Sequence, residues 1–397
     1  MLNHPYISPW PYYEPDEVEA ASQTLLTGKV NYWTGTLGKE FEETYAKSVG
    51  KKFGIALSNG TVALELALRS LGISAGDEVI VASRSYVASA SCVLLVGATP
   101  VFADVDIDSG NICAETIAPL ITHKTKAIIP VHIGGWPCDM PSIMALANQY
   151  NLLVIEDCAQ AHGAFVGNMP VGAWGHAAIF SFCQDKIIST GGEGGMLLIN
   201  DEDVYKKAWA YKDIGRSYDA VYNQQHEVGF RWLTETTGSN FRMTEFQAAI
   251  GLRQLSKLPV WINKRNTNAK AITHTLKQFN FIDVPTMADS KGNLNAYYRL
   301  YAKVSFNIYK AGLCNKDLRN LLVNLLTDAG VPCFHGTCSE IYREKAFEGI
   351  QSKPFNKLPN ASLFMDNAFC LLVHHTIATS ELNQMLTKIQ DTLSRLK

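Results

Sequence analysis

The 397-residue sequence has no run of basic residues, no repeated CxxC pair, and no P-loop or GxGxxG fingerprint. With 35 basic and 37 acidic residues the net charge is −2, and no basic stripe offers a footprint for nucleic acid or an anionic membrane surface. The missing glycine fingerprints argue against nucleotide-fuelled chemistry and against a nicotinamide oxidoreductase. The nine cysteines are scattered, and Cys333 and Cys338 form no zinc pattern with a nearby His pair. Reduced thiols in a cytoplasmic protein are therefore expected, and no metal is. The N-terminal "MLNHPYISPWPYYEPDEVEAA" lacks a basic start followed by an apolar core, so it does not read as a signal peptide. The most apolar stretch, Val79 to Val105, is broken by Arg84, Gly97, Pro100 and Asp104. It reads as strand–helix–strand, not as a membrane span.

What is present is a core. Hydrophobic residues make up 47% and charged residues 18%, which suits a compact globular chain. Up to about Asn200, apolar strands alternate with helices. Strands are expected at Phe53–Leu57, Glu78–Ala82, Pro100–Val105, Lys126–Val131, Leu152–Glu156, Ala177–Phe182 and Gly195–Ile199, and helices at Thr61–Leu71, Ala88–Val96 and Pro141–Gln149. Continuous apolar strands between helices predict an α/β fold, a mostly parallel sheet covered on both faces. Further on, helices are expected at Thr244–Leu255, from Pro259 to about Phe279, at Lys316–Ala329 and at Ser380–Leu396. A polar loop is expected at Pro285–Asn295, and strands at Tyr297–Val304 and Ala368–Val373. The expected division is a large domain over residues 1–255 and a smaller α+β domain over 256–397.

Several chemistry-bearing residues fall just past predicted strands. Lys186 lies in "FSFCQDKIISTGGEGGM", between a strand and a glycine-rich turn, and Asp157 ends "LLVIED", with Gln160 beyond it. A lysine can hold an aldehyde as a Schiff base, and an ionised aspartate can keep a pyridine nitrogen protonated. Both are what pyridoxal phosphate (PLP) chemistry requires. In "LSNGTVALELAL", Gly60 gives a tight turn and Thr61 opens a helix whose N-terminus suits a phosphate, although an ordinary capped turn reads the same way. The Ser181 hydroxyl is placed for the same phosphate, and the Tyr86 ring for stacking on a cofactor. Taken singly, the Gly60–Thr61 turn, Ser181 and Tyr86 read more readily as ordinary capping and packing. His162 reads as a structural histidine, and His374–His375 have no partner at metal spacing. The conjunction carries the reading, because ligands of open α/β sheets bind at the C-terminal ends of the strands.

The ordered motifs "SNGTVALELAL…LGISAGDEVIV", "VGATPVFADVD", "TKAIIPVH", "VIEDCAQAHGA", "FSFCQDKIISTGGEGGM" and "GSNFRMTEFQAAIGLRQL" resemble the DegT/DnrJ/StrS family of sugar aminotransferases. The resemblance runs from about residue 10 to the C-terminus. It implies the aspartate-aminotransferase fold (fold type I), PLP as cofactor and a homodimer with shared active sites. By position, Lys186 would bind the PLP aldehyde and move the proton, Asp157 would pair with the ring nitrogen, and Gln160 would contact the ring hydroxyl side. Ser181, Gly60 and Thr61 would hold the phosphate, and Tyr86 would stack on the ring. Asn240, in "GSNFRM", would reach the phosphate of the neighbouring subunit.

The resemblance further implies glutamate as amino donor and an oxo-sugar as acceptor, in cell-surface polysaccharide or lipopolysaccharide biosynthesis. The usual acceptor is a nucleotide-linked keto-hexose, and a free acidic sugar such as 8-oxo-Kdo is the less common one. A donor carboxylate calls for an arginine, with Arg84, Arg231 and Arg242 as candidates, although Arg242 could equally tie down its own turn. Trp136 in "HIGGWPCDM" stands where smaller polar residues are frequent in the family and is a candidate substrate contact. A lysine in place of the histidine of related dehydratases favours transamination. The alternative is a PLP-binding regulator or sensor that keeps the fold without turnover.

Overall fold

The computed structural model describes residues 8–226, 228–229, 231–287, 292–305, 314–350, 352–354 and 356–396. Part of the N-terminal stretch and residues 288–291 of the expected loop lie outside the described residues.

The large sheet is built from β1 (Phe53–Leu57), β2 (Glu78–Ala82), β3 (Thr99–Ala103), β4 (Thr125–Ile129), β5 (Leu153–Asp157), β8 (Ala177–Ser181) and β9 (Gly195–Ile199). A short hairpin, β6 (Phe165–Val166) with β7 (Met169–Pro170), is set apart from it. The seven strands lie in the order β1-β9-β8-β5-β4-β2-β3. Only β9 is reversed, pairing antiparallel with β1 and β8, while the other pairs are parallel. The buried runs "AAIFS" and "GMLLI" explain why these strands are continuously apolar: both of their faces are covered.

Every predicted strand of this sheet is present, three with unchanged bounds and the others with ends moved by one or two residues. One such shift matters, because Asp157 is itself the last residue of β5. Parallel strands joined by right-handed crossovers bring all their C-terminal ends to one edge. Residues following β1, β2, β5 and β8 therefore meet there although the sequence separates them widely.

The small sheet orders β10 (Ile282–Asp283), β11 (Leu300–Val304), β13 (Ala368–Leu371) and β12 (Cys333–Phe334) with antiparallel pairing. The expected strand from Tyr297 begins only at Leu300, and Tyr297 itself has φ 46°. A second apolar core, including Ile272, Phe281, Leu322, Phe369 and Ile389, lies beneath this sheet.

The two helices expected around Pro259 are one, Glu245–Leu276. It is buried against the first core at Ala248 and Leu255 and against the second at Ala269 and Ile272, so it spans the expected boundary at residue 255. Proline removes one hydrogen bond from a helix interior. Tertiary contacts carry the helix past it: Gln254 Nε2 donates to buried Glu17 at 3.1 Å, and Lys257 Nζ meets Glu17 at 2.8 Å and Glu14 at 2.9 Å. Thr244 and Gln247 close its N-terminus as a capping box. Among the described residues, no helix is long and apolar enough to cross a membrane.

Because an interior proline costs a helix up to about 3 kcal/mol relative to alanine, Pro259→Ala should raise stability by about 1–2 kcal/mol. Urea unfolding measures this, and a midpoint that stays put or falls would show that the fold depends on the proline.

Candidate active site

A cavity of about 870 Å³ opens at the C-terminal edge of the large sheet. Gly60, Thr61, Tyr86, Asp157, Gln160, Ser181 and Lys186 all line it, so seven of the residues singled out from sequence share one space.

One wall is the start of the helix Gly60–Ser70. Asn59 caps it, its side chain accepting from Val62 N at 3.0 Å. The first N–H groups of a helix have no intrahelical acceptor, and the helix dipole adds partial positive charge there. At Gly60 an added Cβ would lie 2.8 Å from Ser181 Cβ, so only glycine lets the turn approach β8 this closely. Gly195 serves the same closeness from β9, where a Cβ would lie 2.3 Å from Asn59 O. The result is a small, donor-rich cradle beside the Ser181 hydroxyl, shaped for a phosphate.

Deeper in the cavity Asp157 is almost fully buried. Its Oδ2 accepts from Ser89 Oγ at 2.8 Å and its Oδ1 from Ala159 N at 3.1 Å. Ser89 in turn contacts Ser85 Oγ at 2.6 Å. Burial pushes the Asp157 carboxyl above its usual range, and the two hydrogen bonds and the charge of Lys186 pull it partly back. A buried carboxylate with this balance calls for a cationic N–H. Gln160 accepts from Gly134 N at 2.7 Å through its amide oxygen, which leaves its amide nitrogen as the group it can offer a ligand.

Lys186 follows β8 in a turn fixed by Lys186 N donating to Cys183 O at 3.0 Å and Trp10 Nε1 donating to Lys186 O at 3.0 Å. Its Nζ lies 5.0 Å from the Tyr298 ring centroid. Tyr86 is 67% exposed, leaving a ring face open to a planar ligand.

His162 does not face the cavity as an acid or base. Its Nε2 contacts Ser181 O at 2.9 Å and its Nδ1 contacts Tyr45 OH at 2.7 Å, and burial pushes its pKa down to about 3. It holds the end of β8 in place. His375 stacks on Trp261 at 4.0 Å and His374 contacts Thr376 Oγ1 at 2.7 Å, and burial lowers both, to about 2 and about 3.

Five sequence candidates do not line this cavity. Arg84 is buried behind it, its guanidinium 4.4 Å from the Tyr301 ring and 4.6 Å from the Phe364 ring, with Nη1 donating to Gly110 O at 3.3 Å. It supports a wall residue and is closed off from any ligand. Arg242 is the turn-tying residue: it pairs with Asp213, which Arg216 also meets at 3.2 Å. Arg231 is exposed, as is Asn240, whose backbone bridges to Asp213. Trp136 lines a separate small crevice with Asp108 and Tyr297.

The C-terminal part contributes the wall that sequence reasoning missed: Tyr298, Arg299, Tyr301, Phe334, Thr337 and Cys338. Tyr298 OH donates to Asp185, Arg299 Nη2 meets the same carboxylate at 3.2 Å, and Tyr301 OH contacts Thr337 Oγ1 at 2.6 Å. One signal for them stood in the sequence, an arginine inside the aromatic run "YYRLY", since a charge in a buried strand needs a partner.

An amine, a buried carboxylate and a phosphate cradle around one cavity meet the needs of PLP, and with this fold they define a PLP-dependent enzyme of the aspartate-aminotransferase architecture. The chain belongs to the DegT/DnrJ/EryC1/StrS aminotransferase family, matched over residues 11–390. It is 42% identical over 328 residues to a GDP-perosamine synthase of Escherichia coli O157:H7, covering 82% of this chain and 83% of that one. The crystal structure of an aminotransferase from Psychrobacter cryohalolentis superposes with a TM-score of 0.94 at 46% identity, over 98% of this chain and 99% of the other. A Bacillus subtilis protein solved with bound cofactor PMP, the amine form of PLP, superposes at 0.83 and 25% identity, over 98% of this chain and 86% of that one. The protein is thus a PLP-dependent aminotransferase.

The raised Asp157 carboxyl makes a signed prediction for the cofactor-free protein. Its stability contribution is full below the unfolded carboxylate pKa and is lost as pH rises through the folded value. Asp157→Asn should therefore raise the melting temperature of the apoprotein at pH 7 while weakening cofactor retention. A lower apoprotein melting temperature at pH 7, with a normal one at pH 4, would show instead that the charged form is stabilising.

Proposed function

We propose that the protein transfers the amino group of glutamate to the carbonyl of a keto- or aldehydo-sugar in two half-reactions. The observation that carries this is the convergence of Lys186, Asp157 and the Gly60–Thr61–Ser181 cradle on a cavity with room for more than a cofactor. Bound PLP supplies the electron sink that makes the donor's α-C–H acidic. Lys186 would hold PLP through its Nζ, and its freed amine would be the group that carries the proton off the donor α-carbon. Asp157 would hold the proton on the ring nitrogen, and Ser89 keeps the carboxylate aimed. The helix N-terminus with Thr61 and Ser181 would hold the phosphate, Gln160 would donate to the ring hydroxyl, and Tyr86 would stack on the ring.

The acceptor is a nucleotide-linked keto-hexose, a reading supported by the GDP-sugar named for the 42%-identical relative. An acidic oxo-sugar such as 8-oxo-Kdo is the second acceptor to test, because Arg299 faces the cavity. The product belongs to cell-surface polysaccharide or lipopolysaccharide biosynthesis in the cytoplasm. The working unit is a homodimer in which Asn240 serves the partner's phosphate site. Its exposure in this protomer and the neighbouring exposed Trp232, 94% accessible, support that reading.

Wild-type protein should be yellow and should bleach on adding glutamate, and Lys186→Ala should lose turnover by at least about a thousandfold, since one residue supplies both attachment and base. Multiple turnover by Lys186→Ala without added amines would sink the assignment. Asn240→Ala should weaken cofactor binding by roughly tenfold without changing the melting of cofactor-free protein, as expected for one charge-assisted hydrogen bond. Sedimentation of wild type as a monomer would remove the shared-site reading.

A further inference from the structure

Transamination by the route proposed above needs a cation for a substrate carboxylate, and the three arginines expected from sequence are buried behind the cavity, engaged with Asp213 or exposed away from it. Among the described residues lining the cavity, the cationic side chains are Lys186 and Arg299. Lys186 is the residue that would hold the cofactor. Arg299 reaches the cavity just before β11, its backbone N donating to Gly134 O at 3.2 Å. The guanidinium packs 4.9 Å from the Tyr298 ring and 5.9 Å from the Phe334 ring. Such flanking aromatics orient a planar cation and limit its hydration.

The guanidinium meets the Asp185 carboxylate at 3.2 Å through a single nitrogen. Asp185 also lines the cavity, and its side chain is 42% exposed. Burial would raise this carboxyl, but the charge of Lys186, the Tyr298 hydroxyl and Arg299 together hold it lower, so it is an anion. A carboxylate on a guanidinium at the wall of a substrate cavity occupies the place a substrate carboxylate would take. The monodentate geometry leaves the rest of the guanidinium fork for a second carboxylate.

We infer that Arg299 is the residue of this cavity that binds a substrate carboxylate, that of the dicarboxylic amino donor, with Asp185 as the internal anion that holds the guanidinium in place and competes for it. The inference rests on the proposed reaction for its ligand, but its test does not require turnover. Glutarate is a dicarboxylate with no amine, so it binds without reacting. Its dissociation constant on the holoenzyme is read by calorimetry or by the shift of the cofactor absorbance. Glucuronate, read the same way, represents the other source of a carboxylate, an acidic sugar.

Arg299→Gln should weaken glutarate by at least about tenfold and leave glucuronate nearly unchanged, the loss expected for a charge-assisted hydrogen bond. Arg299→Lys should recover part of the affinity. Asp185→Asn should tighten glutarate several-fold, because the competing charge is gone. That increase is the outcome a merely structural pair cannot give. A loss confined to glucuronate would overturn the assignment to the donor and move the site to an acidic acceptor. Changes within about twofold for both anions in Arg299→Gln, or an Asp185→Asn variant that loses glutarate as Arg299→Gln does, would overturn the inference. Failure of the wild type to bleach with glutamate would overturn the proposed function instead, with the glutarate titration still readable.

Discussion

The structure turns on the placement of one carboxylate. Asp157 ends β5 inside the protein, where an anion is costly unless it is hydrogen-bonded and faces positive charge. Ser89 reaches it from the helix after β2 and Ala159 N from its own turn, with Lys186 across the cavity. These groups come from different crossovers, and the parallel sheet is what brings them together. The remaining demand of the carboxylate is a buried N–H cation, which a protonated pyridine nitrogen would supply.

A second buried carboxylate, next in sequence, solves its problem without a ligand. Glu156 accepts from the backbone N–H groups of Gly172, Trp174 and Gly175 at 2.7–2.9 Å and contacts His132 Nε2 at 3.3 Å. His132 Nδ1 accepts from Cys138 N at 2.9 Å, so the ring is oriented from both sides. Glu156, His132 and Cys158 lie close enough to suggest a metal cluster. The carboxylate oxygens are already used by backbone donors, and the arrangement is a brace for the loop behind β5. Adjacent acids on one strand thus divide the work because their side chains leave opposite faces of the sheet.

Much of the cavity was legible in the sequence because its residues are local consequences of strand ends. Gly60, Asp157, Ser181 and Lys186 each follow or end an apolar run, and a parallel sheet sends all such ends to one edge. The arginines were not legible in the same way. Arg84 also follows a strand end, yet it turns back into the core between Tyr301 and Phe364, rings supplied by residues more than two hundred positions later. Arg242 is claimed by Asp213 for the same kind of reason. A long side chain goes where charge and aromatic partners wait, and those partners are set by packing.

Hydrophobic periodicity and turn residues by themselves determined the α/β sheet and the strand ends that carry Gly60, Asp157, Ser181 and Lys186, because these depend on neighbours within a few residues. Tertiary structure decided the opposite wall of the cavity. The wall formed by Tyr298, Arg299, Tyr301 and Thr337 comes from the C-terminal part of the chain, with Tyr298 and Tyr301 packed against the first core. Sequence spacing holds no information about which residues more than a hundred positions apart will share one cavity. Only packing could show that Arg299 faces Lys186 across one cavity.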